Sequence, residues 1–311
     1  METFKQHLLK TLEELCLDTD IEIITSKIVK QNDTSLTAIC LKPTDSTIGT
    51  NYYVEELFKR YESGSTIPEI AKDILLHHKN SSFLANNLLI KPFITQLSSY
   101  ECIKNNLTVR LLYLKANRNY LSDKVFKPYL KMNASHEFAI SLCISIPDSN
   151  DDEHGIITVN QQLRNMWDVT DEELFEIALL NTEKKYSCTI RSMFDVLTNL
   201  GDDSINNLPN LPSMYVMTNN VSLHGSATLL YTNSLKSFAD ELDSDFYIIP
   251  SSVHEVILIP TDETIDVSEI QDTITEVNRT AIAHSEFLSN QLLYYSHSDD
   301  CISICKPYTR D

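Results

Sequence analysis

The polar residues best suited to chemistry gather in one short segment, Pro250-Ser251-Ser252-Val253-His254-Glu255. A serine hydroxyl becomes a useful nucleophile at neutral pH only beside a base, and side chains two apart on an extended chain share a face. Ser252 and His254 are therefore the candidate catalytic pair, with Glu255 on the opposite face. Ser251, Glu255, Asn219 and His224 are the candidate binding residues. Such a set could support hydrolysis. A triad also requires an orienting acid and oxyanion donors, and no motif here writes them. Turn-forming serines and a histidine hydrogen-bonded at the edge of the core account for the same residues. His254-Glu255 is not a zincin signature, because Leu258 stands where the second histidine would be.

These residues need a scaffold, and residues 214–260 provide a legible one. Met214 to Met217 is a short apolar run ended by Asn219-Asn220, which suits a strand followed by a turn. Ala227, Leu230, Tyr231, Leu235, Phe238 and Leu242 then recur at helical spacing. Phe246 to Ile249 and Val256 to Ile259 are apolar without alternation, the pattern of two neighbouring strands central in a sheet and covered on both faces.

The rest of the chain divides around that stretch. Residues 1–95 predict an amphipathic helix (Phe4, Leu8, Leu12, Leu15), a hairpin turning at Gln31 to Thr34, and two helices on either side of Gly64, the second opened by the capping box at Thr66 and Glu69. His77-His78 follows that helix and complements its dipole. Residues 96–311 predict a larger unit: an ambiguous apolar run over Thr108 to Leu114, a strand over 138–147, its partner at 155–159, and a capped helix from Thr170. A linker is expected near 195–212, then a helix capped by Asp266 and one edge strand in the tail. The fold class is α+β, a mixed, largely antiparallel sheet with covering helices plus the N-terminal hairpin and helical hairpin.

Composition narrows the function. The 311 residues carry 44 acids against 25 Lys and Arg, a net charge of −19, which opposes direct nucleic-acid binding. A protein this acidic could instead imitate nucleic acid and occupy a DNA-binding partner. No run of 18 apolar residues spans a bilayer, and the first helix is no signal peptide. Seven cysteines, an odd number in apolar settings, fit reduced thiols in a cytoplasm. With five glycines and no Walker, Rossmann, nucleophile-elbow, zinc-ribbon or EF-hand pattern, neither cofactor nor metal is expected.

The segments at 51–75, 155–182 (with NMWDVTDEELFEIALLNT), 223–231, 245–260 (with PSSVHEVILIP) and 277–295 together resemble an uncharacterised domain-of-unknown-function family of Clostridia and related Firmicutes. The resemblance implies a soluble bacterial protein and falls on Trp167, Asn181, Asn219, His224, Ser251, Ser252, His254, Glu255 and Asn278. The chain departs from it at Glu137-Phe138 and at Ala283 to Glu286. The expected function is a non-catalytic protein-interaction or regulatory module, with a Ser252/His254 hydrolase and an acidic nucleic-acid mimic as alternatives.

Overall fold

The computed structural model describes residues 1–44, 49–85, 90–129, 137–146, 155–199, 213–261 and 266–305. The fold is α+β, and the chain divides into two units, Met1–Thr95 and Gln96–Asp311.

In the first unit, α1 (Glu2–Cys16) buries Phe4, Leu8, Leu12 and Cys16. The buried row steps by four and closes on Cys16, so Leu15 is exposed and not in the stripe. Strands β1 (Ile21–Val29) and β2 (Ser35–Pro43) pair antiparallel from Ile21↔Pro43 to Val29↔Ser35. Their turn uses positive φ at Asn32 and Asp33, residue types that tolerate it. β3 (Thr50–Tyr53) pairs with the far side of β2 and runs into α2 (Val54–Glu62). Gly64, at φ +106°, makes the break that only glycine makes without strain. The capping box forms as predicted before α3 (Ile67–Ala85): the Thr66 N–H donates to Glu69 Oε2 at 2.8 Å and the Glu69 N–H to Thr66 Oγ1 at 3.4 Å. α3 runs past both histidines, which lie in its interior and not at its end. His77 Nδ1 is 3.1 Å from the Tyr52 hydroxyl. Ile39, Leu41, Val54, Leu57, Ile70 and Ile74 join the α1 stripe in one core. α4 (Ile90–Gln96) reaches the boundary.

The second unit holds two sheets where one was expected, and every described pairing is antiparallel. After α5 (Tyr100–Ile103) comes β4 (Leu107–Tyr113), which settles the ambiguous run as strand. β4, β5 (Phe126–Pro128) and β7 (Ile156–Thr158) all pair with β6 (Phe138–Ser145). All eight residues of β6 are buried, as its central place requires. β4 is an edge, and after the short α6 (Gln161–Arg164) the long α7 (Asp171–Lys185) closes it. Thr182 Oγ1 accepts the Val109 N–H at 2.9 Å, and Asn181 Nδ2 donates to the Leu107 carbonyl at 3.1 Å. Main-chain groups that would otherwise solicit another strand are thereby satisfied.

The second sheet takes β8 (Cys188–Ser192), β9 (Tyr215–Asn219), β10 (Phe246–Ile249), β11 (Val256–Pro260), β12 (Leu293–Ser296) and β13 (Cys301–Ile304) in the order β13-β12-β10-β11-β9-β8. The two apolar ribbons lie side by side at its centre, with Phe246 opposite Pro260 and Ile249 opposite Ile257. The tail supplies two strands, not one. Of the expected linker, 195–199 belong to α8 (Met193–Asn199) and 200–212 lie outside the described residues. The single helix expected after β9 is two pieces, a buried 3₁₀ segment, Gly225–Leu230, and α9 (Ser234–Leu242), separated by Asn233 at φ 64°. Hydrogen bonds fix the break: Tyr231 Oη donates to the Tyr186 carbonyl at 2.7 Å, and Tyr129 Oη to the Leu229 carbonyl at 3.2 Å. Asp266 caps α10 (Val267–Ala281) as predicted, although Val277 of the expected apolar stripe is exposed.

The sheets meet where Gly225 packs. A β-carbon there would lie 2.1 Å from Thr218 Oγ1, 2.3 Å from the His254 carbonyl oxygen and 2.9 Å from the Asn219 nitrogen. Two of these are main-chain atoms and cannot swing aside. Gly225→Ala is therefore expected to destabilise the protein by roughly 3 kcal/mol, the upper part of the range for overpacking. Urea denaturation checks this, and an unchanged midpoint would show that the three strands of main chain can separate without cost.

Candidate functional site

Four of the six predicted site residues converge at this junction. β9 ends at Asn219, whose side chain folds the next turn: Oδ1 accepts the Val221 and Leu223 N–H groups at 3.1 and 3.3 Å, and Nδ2 donates to the Leu223 carbonyl at 2.9 Å. That turn delivers His224 at φ 52°, a left-handed conformation that histidine adopts more readily than most residues. In this conformation the His224 N–H donates to His254 Nδ1 at 3.3 Å. The two imidazoles stack at 5.6 Å between centroids and 22° between planes.

The segment before β11 is held from both sides. The Val253 N–H donates to the Glu286 carbonyl at 2.8 Å, and Ser226 Oγ to the Val253 carbonyl at 2.9 Å. Thr218 Oγ1 donates to the His254 carbonyl at 2.7 Å. Ser252 is buried, and its Oγ accepts the main-chain N–H of His254 at 3.0 Å. Its hydroxyl thus caps a turn and makes no bond to the imidazole. Ser251 contributes its carbonyl, which accepts the Leu288 N–H at 2.9 Å. The side chains of Ser251 and Glu255 make no hydrogen bond or ion pair among the described residues and do not join the cluster.

Several members were not anticipated. His254 Nε2 stands 3.9 Å from Glu286 Oε1. Arg110, on β4, donates from Nε to Cys143 Sγ at 3.1 Å and from Nη2 to Tyr120 Oη at 3.0 Å and Thr158 Oγ1 at 2.6 Å. It is half-buried, and its pKa lies above the ordinary arginine value: burial opposes the charge, and Cys143 and Tyr120 outweigh burial. Arg110, His224, Thr108, Thr182 and Asn219 line a small cavity of ≈ 10 Å³, about the room of one water molecule. A charged residue inside the apolar run Thr108 to Leu114 was the sequence signal for Arg110. Nothing local marked Cys143, Thr158 or Glu286. Among the described residues no group of three or more His, Cys, Asp or Glu is placed to hold a metal ion.

The electrostatics favour a neutral imidazole at His224. Burial, the Arg110 guanidinium and His254 together push its pKa from an ordinary 6.5 to about 3. Its Nδ1 is buried without a hydrogen-bond partner. Because the folded pKa is depressed, the unfolded chain takes up a proton in acid that the folded chain refuses. The stability tied to His224 is thus present above about pH 6.5 and lost as pH falls towards about 3. Arg110 and His254 oppose protonation of the ring, and the half-exposed Glu286 beside His254 is the nearest described carboxylate to the stack. Urea midpoints measured between about pH 7.5 and about pH 4 should fall for the wild type and fall less for His224→Asn. Equal slopes would remove the assignment.

No curated protein and no solved structure matches the chain. One family model does, over residues 1–297, a span that includes every residue of the cluster. The chain belongs to DUF5688, a family of unknown function.

Proposed function

We propose that the protein is a non-catalytic interaction module that takes up an extended segment of a partner protein along strand β1. The observation that carries this reading is the state of that strand. β1 is a nine-residue edge with no strand on its outer side among the described residues. Just beyond its ends the Lys30 N–H donates to the Thr34 carbonyl and the Thr44 N–H to the Asp20 carbonyl, so the even positions bond to β2. The N–H and C=O groups of Ile21, Ile23, Thr25, Lys27 and Val29 consequently point outward. Ile24 and Val29 are exposed. Proteins usually blunt such an edge with charge, proline or a covering element; here Glu22 and Lys27 are the only charges over nine residues. By contrast β4, the edge of the first sheet in the second unit, is closed by Asn181 and Thr182. An open edge of this length supports recognition by strand addition, in which main-chain bonds give affinity and alternate side chains give selectivity.

The partner segment is neutral or basic. Each chain carries −19, and two copies repel one another. The hydrolase alternative has less support, because the Ser252 hydroxyl and His254 Nδ1 are both engaged with main-chain N–H groups. The nucleic-acid mimic also has less, since Lys5–Glu2, Arg60–Asp73 and Arg279–Glu276 pairs intersperse the two signs on the surface. No described helix is long and apolar enough to cross a membrane, and none of the seven cysteines is in a disulfide. The reduced thiols support the setting proposed for the module, a reducing cytoplasm.

Extended peptides selected from an unbiased display library should perturb the amide resonances of Ile21, Ile23, Thr25, Lys27 and Val29. Thr25→Pro should weaken their binding about tenfold or more and leave the melting temperature unchanged, because the N–H it removes faces outward. Peptides that map elsewhere, or that bind Thr25→Pro equally well, would overturn the reading.

A further inference from the structure

We propose that Lys185 is a site of covalent acylation, modified by a small activated acyl group carried on a phosphate or a thiol. This concerns the last turn of α7 and is independent of strand β1. The first observation is what the amine touches. Lys185 is exposed, so a reagent reaches it, but its Nζ turns back against β6 and donates to Ser145 Oγ at 2.6 Å. Ser145 is buried, and its Oγ lies 3.0 Å from Tyr186 Oη. With the lysine as donor, the Ser145 hydrogen is left for Tyr186, and the three groups form one directed chain. That chain holds an N–H of the amine and makes no claim on the lone pair that a neutral Lys185 carries.

The second observation is the kind of partner the amine has. Two other lysines of this unit are held by carboxylates: Lys104 Nζ donates to Glu101 Oε2 at 2.7 Å and Lys115 Nζ to Glu137 Oε1 at 2.6 Å, and in both the carboxylate raises the pKa. Lys185 forms no ion pair among the described residues, and burial of its amine moves the pKa down. The Tyr186 ring, 5.5 Å from Nζ, stands near the limit of a cation–π contact. Only a neutral amine is a nucleophile, and a lysine withdrawn from water is an activated one. In the reaction Nζ bonds to the acyl carbon, and the bond from that carbon to phosphate oxygen or thiol sulfur breaks. The leaving group takes the electron pair and receives the proton shed by the nitrogen. Ser145 and Tyr186 are buried, so only the outer side of the amine is open, which suits a donor that presents its acyl carbon at one end. The amide produced removes a positive charge from the C-terminus of α7, where it complements the helix dipole, beside the residues Asn181 and Thr182 that close the β4 edge.

The test uses the full chain, incubated at neutral pH with acetyl phosphate in one series and acetyl coenzyme A in another. Acetylation of each lysine is followed by peptide mass spectrometry. Lys185 should react about threefold faster or more than Lys184, its exposed neighbour in the same turn, and the series in which it does so identifies the carrier. Ser145→Ala should bring the ratio of the two rates towards unity and leave the rate at Lys184 unchanged. If Ser145→Ala does not fold, Tyr186→Phe, which keeps the ring and removes the hydroxyl, decides by lowering the same ratio. Equal rates at Lys185 and Lys184 in both series, or a ratio that the deciding substitution leaves unchanged, would overturn the proposal.

Discussion

At Gly225 three stretches of main chain come closer together than any side chain allows: the end of β9, the start of the 3₁₀ segment, and the residues that lead into β11. The approach is possible because one hydrogen atom occupies the place of a β-carbon. It is maintained because Thr218, Ser226 and Ser252 each commit a hydroxyl to a main-chain group of the same knot. The cluster above it inherits that geometry. His224 and His254 face each other since their backbones are fixed on opposite sides of Gly225, and the rings have little freedom to choose other partners.

This constraint joins the two sheets of the second unit as well as the site. The 3₁₀ segment following Gly225 receives Tyr129 from one sheet and ends at Tyr231, whose hydroxyl donates to the main chain at the end of α7. Tyr113 meets Phe287 edge-on at 6.0 Å across the same seam. The polar groups here act chiefly on the main chain, where each satisfies a donor or acceptor that would be costly to bury alone. His224 is different, since its buried Nδ1 has no hydrogen-bond partner. In the first unit, β1 is the outer strand of its sheet among the described residues.

Much of this was legible in the residues. Continuous apolar runs at 246–249 and 256–259 identified the central ribbons, because strands covered on both faces have no polar alternation to display. Capping residues at Thr66, Thr170 and Asp266 marked helix starts because their hydroxyl or carboxylate accepts otherwise unpaired amides. The site was half visible. Asn219, His224, Ser252 and His254 were picked out by type and do converge, but their roles were not, since side chains two apart share a face only if the segment is extended, and the chain bends at Val253 and His254. Arg110, Cys143 and Thr158 meet through strand registers, Arg110↔Ser141 and Cys143↔Thr158, that no local pattern encodes. The break at Asn233 was hidden for a related reason: Ala227 to Leu242 keeps helical spacing, and only long-range bonds from Tyr129 and Tyr231 interrupt it.

The central claim is that His254 serves the fold by accepting a main-chain N–H at Nδ1, which fixes its tautomer and withholds it from Ser252. Long-range ¹H–¹⁵N correlation spectra of the imidazole rings near neutral pH read this directly. The account predicts an unprotonated, acceptor-type Nδ1 and a protonated Nε2 for His254. A protonated Nδ1 with a free, basic Nε2 would contradict it and return His254 to the role of a base.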